Sequence, residues 1–295
     1  MKLVRLLAAV AVAAPLLAGC GAGTGDESGS PSVVASFYPL QYVAERVAGG
    51  HAEVQNLTSP GREPHDLELT VQQTAAVSDA DVAFYESGLQ PAVDQVIDEN
   101  GPEHVVDATE VVDLEPASAE EGGGPDPHFW LDPVRLGKAA AAFEKQLAEV
   151  DPDHAADYAT NLRALQDDLT DLDRDFAAGL ADCAIDTVVV SHDAFGYLSK
   201  YGLDFEAVNG LSPDAEPSFA HIAALHDLIE AHHITTVFAE TLGSKQMADA
   251  LADDLGLETA VLDPIEGLSD ATAGEDYLSL MRADLAALRK ASQCR

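Results

Sequence analysis

Between Asp151 and Asp182 the chain reads DPDHAADYATNLRALQDDLTDLDRDFAAGLAD, a polar segment with apolar residues at helical spacing and no glycine before Gly179. That spacing predicts one helix of roughly thirty residues, near 45 Å at 1.5 Å per residue. On either side of it, short strand-like runs alternate with helical ones. SVVASF, AEVQNLT, DVAFYES and HVVDAT precede it, separated by YPLQYVAERVAG, TVQQTAAVSD and LQPAVDQVIDEN. TVVVSH, FEAVNG, TTVFAE and LETAVLD follow it, with the helical SFAHIAALHDLIEAHH and SKQMADALADDLG among them and a final helix from Glu275. Such alternation predicts parallel sheets flanked by helices. The expected architecture is therefore α/β, with lobes over 33–150 and 183–295 joined by one long backbone helix over 151–182.

The N-terminus carries Lys2 and Arg5, then a small and aliphatic run from Leu6 to Ala18 that is too short to span a bilayer and reads as a signal peptide over 1–19. Leu17-Ala18-Gly19-Cys20 resembles the bacterial lipobox, in which Cys20 is lipidated; cleavage without lipidation is the alternative. The following GAGTGDESGSPS lacks apolar periodicity and reads as a flexible tether over 20–32. The expected location is the extracytoplasmic face of the cell membrane, held by a lipid anchor.

With 15 Lys and Arg against 52 Asp and Glu, the net charge is −37, and loss of Lys2 and Arg5 with the leader makes it −39. A surface so acidic excludes nucleic acid as a partner. Most of that charge serves solubility and locates no site. Two cysteines besides Cys20 remain, Cys183 and Cys294, in an exported and oxidising setting where a disulfide between them is the economical reading and two inert thiols the alternative.

Open parallel sheets bind ligands beyond the carboxyl ends of their strands. In the second half, TVVVSH ends on His192, TTVFAE on Glu240 and TAVLD on Asp263, which places all three on one rim. In the first half, AEVQNLT leads into the loop with His65, and HVVDAT leads through a Gly-rich stretch to PDPHFWLDP with His128 and the only tryptophan, Trp130. Each residue alone has a plain structural explanation, as a hydrogen-bonded histidine, a cap or an ion-pair partner. Their convergence from strand ends points to a metal site between lobes. The seven other histidines lie on helices, at their edges, or ahead of strands and receive no role.

Enzyme readings fare worse. Ser191-His192-Asp193 holds triad residue types, but consecutive strand residues point to opposite faces. The chain has no HExxH, GxSxG or P-loop motif. A zinc-dependent hydrolase on another pattern is the minority alternative, and an adhesin using metal structurally is a third.

Together the lipobox, EPHDLELT, DPHFWLDP, VVVSHDAFGYL, VFAETLGSK and VLDPIEGL resemble, in order and over nearly the whole chain, the zinc/manganese solute-binding lipoproteins of bacterial ATP-binding-cassette importers. The resemblance implies two Rossmann-like lobes on a rigid backbone helix, no enzymatic activity, and Zn²⁺ as the transported ligand delivered to the transmembrane subunit of a permease by a monomeric receptor. It implies His65, His128, His192 and Asp263 as metal ligands. Glu240 falls at a near-site acidic position, supporting a metal ligand from behind or anchoring the lobes by an ion pair, and Asp193 as a residue orienting a ligand histidine. Trp130 and the Asp-Pro steps shape the loop that aims His128. His192 favours the zinc class, because the manganese-type relatives generally carry glutamate there; a manganese or iron receptor of the same family is the alternative. Unlike many zinc-type relatives, the segment 109–127 contains no histidine, so metal collection by that loop, including Glu120 and Glu121, is not expected.

Overall fold

A computed structural model of the chain describes residues 29–117, 124–211 and 217–295. The signal peptide, Cys20 and most of the tether lie outside them, as do Glu120 and Glu121.

The first lobe is a parallel sheet of order β2-β1-β3-β4, formed by β1 (Ser32–Ala35), β2 (Glu53–Asn56), β3 (Val82–Tyr85) and β4 (His104–Asp107). The connections are α1 (Tyr38–Ala48), α2 (Val71–Asp79) and α3 (Pro91–Asn100), and α4 (Pro133–Val150) leaves the sheet after β4. The second lobe repeats the order as β6-β5-β7-β8, with β5 (Thr187–Val190), β6 (Asp204–Ala207), β7 (Thr236–Ala239) and β8 (Glu258–Val261). Helices α6 (Phe219–His232), α7 (Gln246–Leu255) and α8 (Tyr277–Ala291) occupy the places of α2, α3 and α4.

Between the lobes runs α5 (Ala155–Gly179), 25 residues long, or about 37 Å. It begins four residues later than the periodicity predicts. Pro152 has no N–H to give and opens a separate 3₁₀ turn over Pro152–His154, while Asp151 accepts from both His154 Nδ1 and Tyr158 Oη at 2.6 Å. Helix α4 packs along α5, so the spine is a helix pair rather than a single rod.

One continuous apolar core crosses the lobe boundary. It includes Phe37 and Phe84 of the first lobe, Leu165, Leu172 and Phe176 of α5, and Val190, Phe238, Tyr277 and Leu285 of the second. Tyr42 on α1 meets the ring of Tyr277 on α8, with centroids 5.4 Å apart. Cys183 and Cys294 are joined as a disulfide, tying the entry to β5 to the end of α8. Among the described residues no helix is long and apolar enough to cross a membrane.

Candidate metal centre

His65, His128, His192 and Glu266 bring one donor atom each within 4.8 Å of one another. Glu266 Oε1 lies 3.3 Å from both His65 Nε2 and His128 Nε2, and 3.6 Å from His192 Nε2. His128 Nε2 and His192 Nε2 are 3.4 Å apart. His128, His192 and Glu266 are buried, and only His65 reaches solvent, with 14% of its side chain exposed. Three imidazole nitrogens and one carboxylate, two donors from each lobe, form a set that suits a borderline divalent cation in tetrahedral coordination.

The structure draws the three predicted histidines to one point but supplies a different carboxylate. Asp263 does not join the cluster. Its Oδ2 accepts from Thr241 Oγ1 at 2.6 Å, its Oδ1 accepts from Ile265 N at 2.8 Å, and its own N–H donates to Asp284 Oδ1 at 2.9 Å. It braces a turn. Ile265 in that turn has φ 59°, a left-handed conformation that a β-branched residue adopts only under constraint. The reversal swings Glu266 into the cleft. Glu266 stands five residues past the end of β8, beyond the reach of the rule that strand ends carry ligands, and nothing in VLDPIEGL advertises a left-handed isoleucine.

The imidazoles are aimed by buried carboxylates. Asp126 Oδ1 accepts from His128 Nδ1 at 2.8 Å and from His128 N at 2.9 Å. Glu240 Oε1 accepts from His192 Nδ1 and from Ser191 Oγ, both at 2.6 Å. With Nδ1–H so engaged, each ring turns Nε2 toward the centre. Both carboxylates need close neighbours without side chains: a Cβ on Gly196 would stand 2.9 Å from Asp126 Oδ2, and one on Gly243 would stand 3.0 Å from Glu240 Oε2. Asp193 gives its backbone N–H to Gly210 O, and the partner of His128 Nδ1 is Asp126, two residues before it in the DPH phrase. Ser191 Oγ bonds Glu240 rather than an imidazole Nε2, so Ser191 and His192 do not form a serine–histidine pair.

Trp130 and the Asp-Pro steps also find their use. Trp130 Nε1 donates to Pro264 O at 2.7 Å, and Trp130 O accepts from Tyr277 Oη at 2.6 Å, so the ring rivets the His128 loop to the turn that carries Glu266. Asp132 caps α4 by accepting from Val134 N, with Pro133 in the first turn, and also binds Arg135 and Lys200 at 2.6 Å.

Charge in the cluster is strongly coupled. Burial opposes protonation of His128, but hydrogen bonds to Asp126 and Glu266 outweigh it and push the imidazole up to about 10. Burial likewise opposes charge on Glu266, yet the facing imidazoles hold its carboxyl well below the usual range. Glu63, two residues before His65, is pushed up to about 9 by burial and by the facing Glu266 carboxylate. Without metal, His128 therefore holds a proton that a cation must displace.

Two parallel-sheet lobes on a shared helical spine, each giving ligands to one buried centre, define a solute-binding protein of the two-lobed metal-receptor class. The chain belongs to the family described as zinc-uptake complex component A, periplasmic, whose model matches residues 33–291. The zinc-binding lipoprotein AdcA of Streptococcus pneumoniae is 34% identical over 98% of this chain, which spans 61% of that relative's length. The high-affinity zinc uptake system protein ZnuA of Bacillus subtilis is 32% identical, covering 93% of each chain. Among solved structures, the Zn(II)-bound ZnuA-like domain of Streptococcus pneumoniae AdcA superposes with a TM-score of 0.77 at 34% identity, covering 90% of this chain and 99% of that one.

Proposed function

We propose that this protein is a lipid-anchored receptor that captures Zn²⁺ outside the cytoplasm, in the cleft between lobes 33–150 and 183–295, and hands it to an ATP-binding-cassette permease without chemical turnover. The observation that carries this reading is the buried donor set of His65, His128, His192 and Glu266. Four protein donors fill a tetrahedral zinc shell and leave no position for the activated water that a zinc hydrolase requires. Manganese prefers harder and more numerous oxygen donors, so three imidazoles disfavour it. Relatives named for zinc binding and zinc uptake support the same cargo.

Titration of the purified protein against a chromophoric chelator tests the assignment. Zn²⁺ is expected to bind far more tightly than Mn²⁺, and His192→Glu to narrow the gap mainly by weakening zinc. Equal affinities of the unaltered protein for the two metals would sink the zinc reading, and metal-dependent hydrolysis of ester, peptide or phosphate substrates would replace it with an enzyme.

A further inference from the structure

Isolated exposed apolar side chains are ordinary on any protein surface. Their distribution here is not. Among the described residues, the exposed large apolar side chains are Val71, Val111, Val134, Phe219, Met247 and Val261. Val71, Val134, Phe219 and Met247 lie in the first turns of α2, α4, α6 and α7, Val111 follows β4, and Val261 closes β8. In a parallel sheet all of these positions fall at the carboxyl end of the strands, the end that holds the metal centre. The opposite end carries none of them.

Two stand out. Phe219 is 98% exposed and Val71 is 89% exposed. They are the first residues of α6 and α2, which occupy equivalent places in the two lobes, each after the strand at the sheet edge. The turns that present them are built alike: Thr70 Oγ1 accepts from Gln73 N, and Ser218 Oγ accepts from His221 N. Both lie beside ligand-bearing segments. The loop that ends at Val71 holds His65, and the strand exit leading toward Phe219 is bonded to the His192 segment through Asn209 N to Ser191 O and Asp193 N to Gly210 O.

We infer that Val71 and Phe219 are paired apolar anchors, one per lobe, that seat the receptor on two related apolar pockets of a membrane permease. The inference rests on the receptor reading above. Repetition of the knob in equivalent positions of two lobes fits a partner whose two subunits offer equivalent pockets. Exposed acids, Asp66 and Glu68, stand before Val71, so the pocket that takes Val71 is ringed by Lys or Arg. The chain enters β1 at Ser32, at the end opposite the anchors.

The experiment uses cells of the source organism that lack the chromosomal gene and express the full chain, or Val71→Asp, Phe219→Asp, the double variant, or Asn100→Asp, which adds at the opposite end the one charge that each single variant adds. Uptake of ⁶⁵Zn²⁺ is measured at limiting zinc, and the purified proteins are titrated with zinc and melted. The double variant is expected to bind zinc within twofold of the unaltered protein, to melt with it, and to lose at least tenfold in uptake, while Asn100→Asp transports normally. Normal uptake by the double variant, in cells where deletion of the gene abolishes uptake, overturns the anchor assignment and leaves the receptor reading intact. Normal uptake by the deletion strain overturns the receptor reading itself. A dimer of the unaltered protein in sedimentation, dissociated by the double variant, assigns the face to self-association and likewise overturns the proposal.

Discussion

His192 Nδ1 and Glu240 Oε1 lie 2.6 Å apart, with neither side chain more than 2% exposed. The carboxylate fixes which nitrogen of His192 faces the candidate centre, and Ser191 Oγ fixes the carboxylate. Partners of this kind contribute about 10- to 100-fold to metal affinity. Glu240→Gln is therefore expected to weaken zinc binding by about that factor with little change in fold, as read by chelator competition and circular dichroism. An unchanged affinity would reduce Glu240 to a packing residue.

Glu266 and Asp263 should separate cleanly. Glu266→Ala removes a donor from the centre and is expected to cost at least about a hundredfold in zinc affinity, the upper range for the outer carboxylates. Asp263→Asn weakens the turn instead. Loss of charge-assisted bonds to Ile265 N and Thr241 Oγ1 is expected to cost about 1–3 kcal/mol of stability, visible in denaturant melts, with the remaining affinity loss smaller than that of Glu266→Ala. The reverse order would restore Asp263 as the ligand.

Zinc affinity and zinc-free stability should respond oppositely to pH. With His128 pushed up to about 10 and Glu63 to about 9, the metal-free fold binds more protons than the unfolded chain from the ordinary values of these groups upward. Their stabilisation is complete below those ordinary values and is lost as pH rises toward about 9 to 10. Glu266, held low, contributes stability above the usual carboxylate range that is lost in acid. Zinc must displace the His128 proton, so affinity should climb with pH through neutrality, well above the region around 6 expected for unperturbed histidines. Melting with and without zinc at pH 6.5 and 8.5, with calorimetric proton release in two buffers, checks both slopes. A pH-independent affinity over that range would refute the proton on His128.

The disulfide closes a separation of 111 residues. Cys183→Ser with Cys294→Ser is expected to lower stability by about 2–5 kcal/mol and to leave zinc affinity within twofold, because Ala184 N bonds Ser292 O at the amino end of the second sheet, away from the metal centre. A large affinity loss would show that the spine depends on that bond for the alignment of the lobes.

The strand and helix runs, their alternation, the long spine and the three histidines were legible in the sequence because each rests on local periodicity or on the fixed relation between a parallel strand and its carboxyl end. The α5 start shifted because Pro152 set up a local cap, a four-residue matter. Glu266 was not legible. Its place depends on a left-handed Ile265 stabilised by Asp263, and Asp263 in turn by Asp284 from a helix twenty-one residues later in the chain. Trp130 and the Asp126-Pro127 step were legible as shapers of the His128 loop but their partners were not, since the bond of Asp126 to His128 Nδ1 and the rivet to Pro264 exist only once α4, α5 and α8 bring the lobes together around one core. Sequence determined which backbone segments form and which ends of them face one another. The tertiary structure alone decided which carboxylate stands among the three histidines, because that choice turns on a few ångströms of loop geometry that no local pattern encodes.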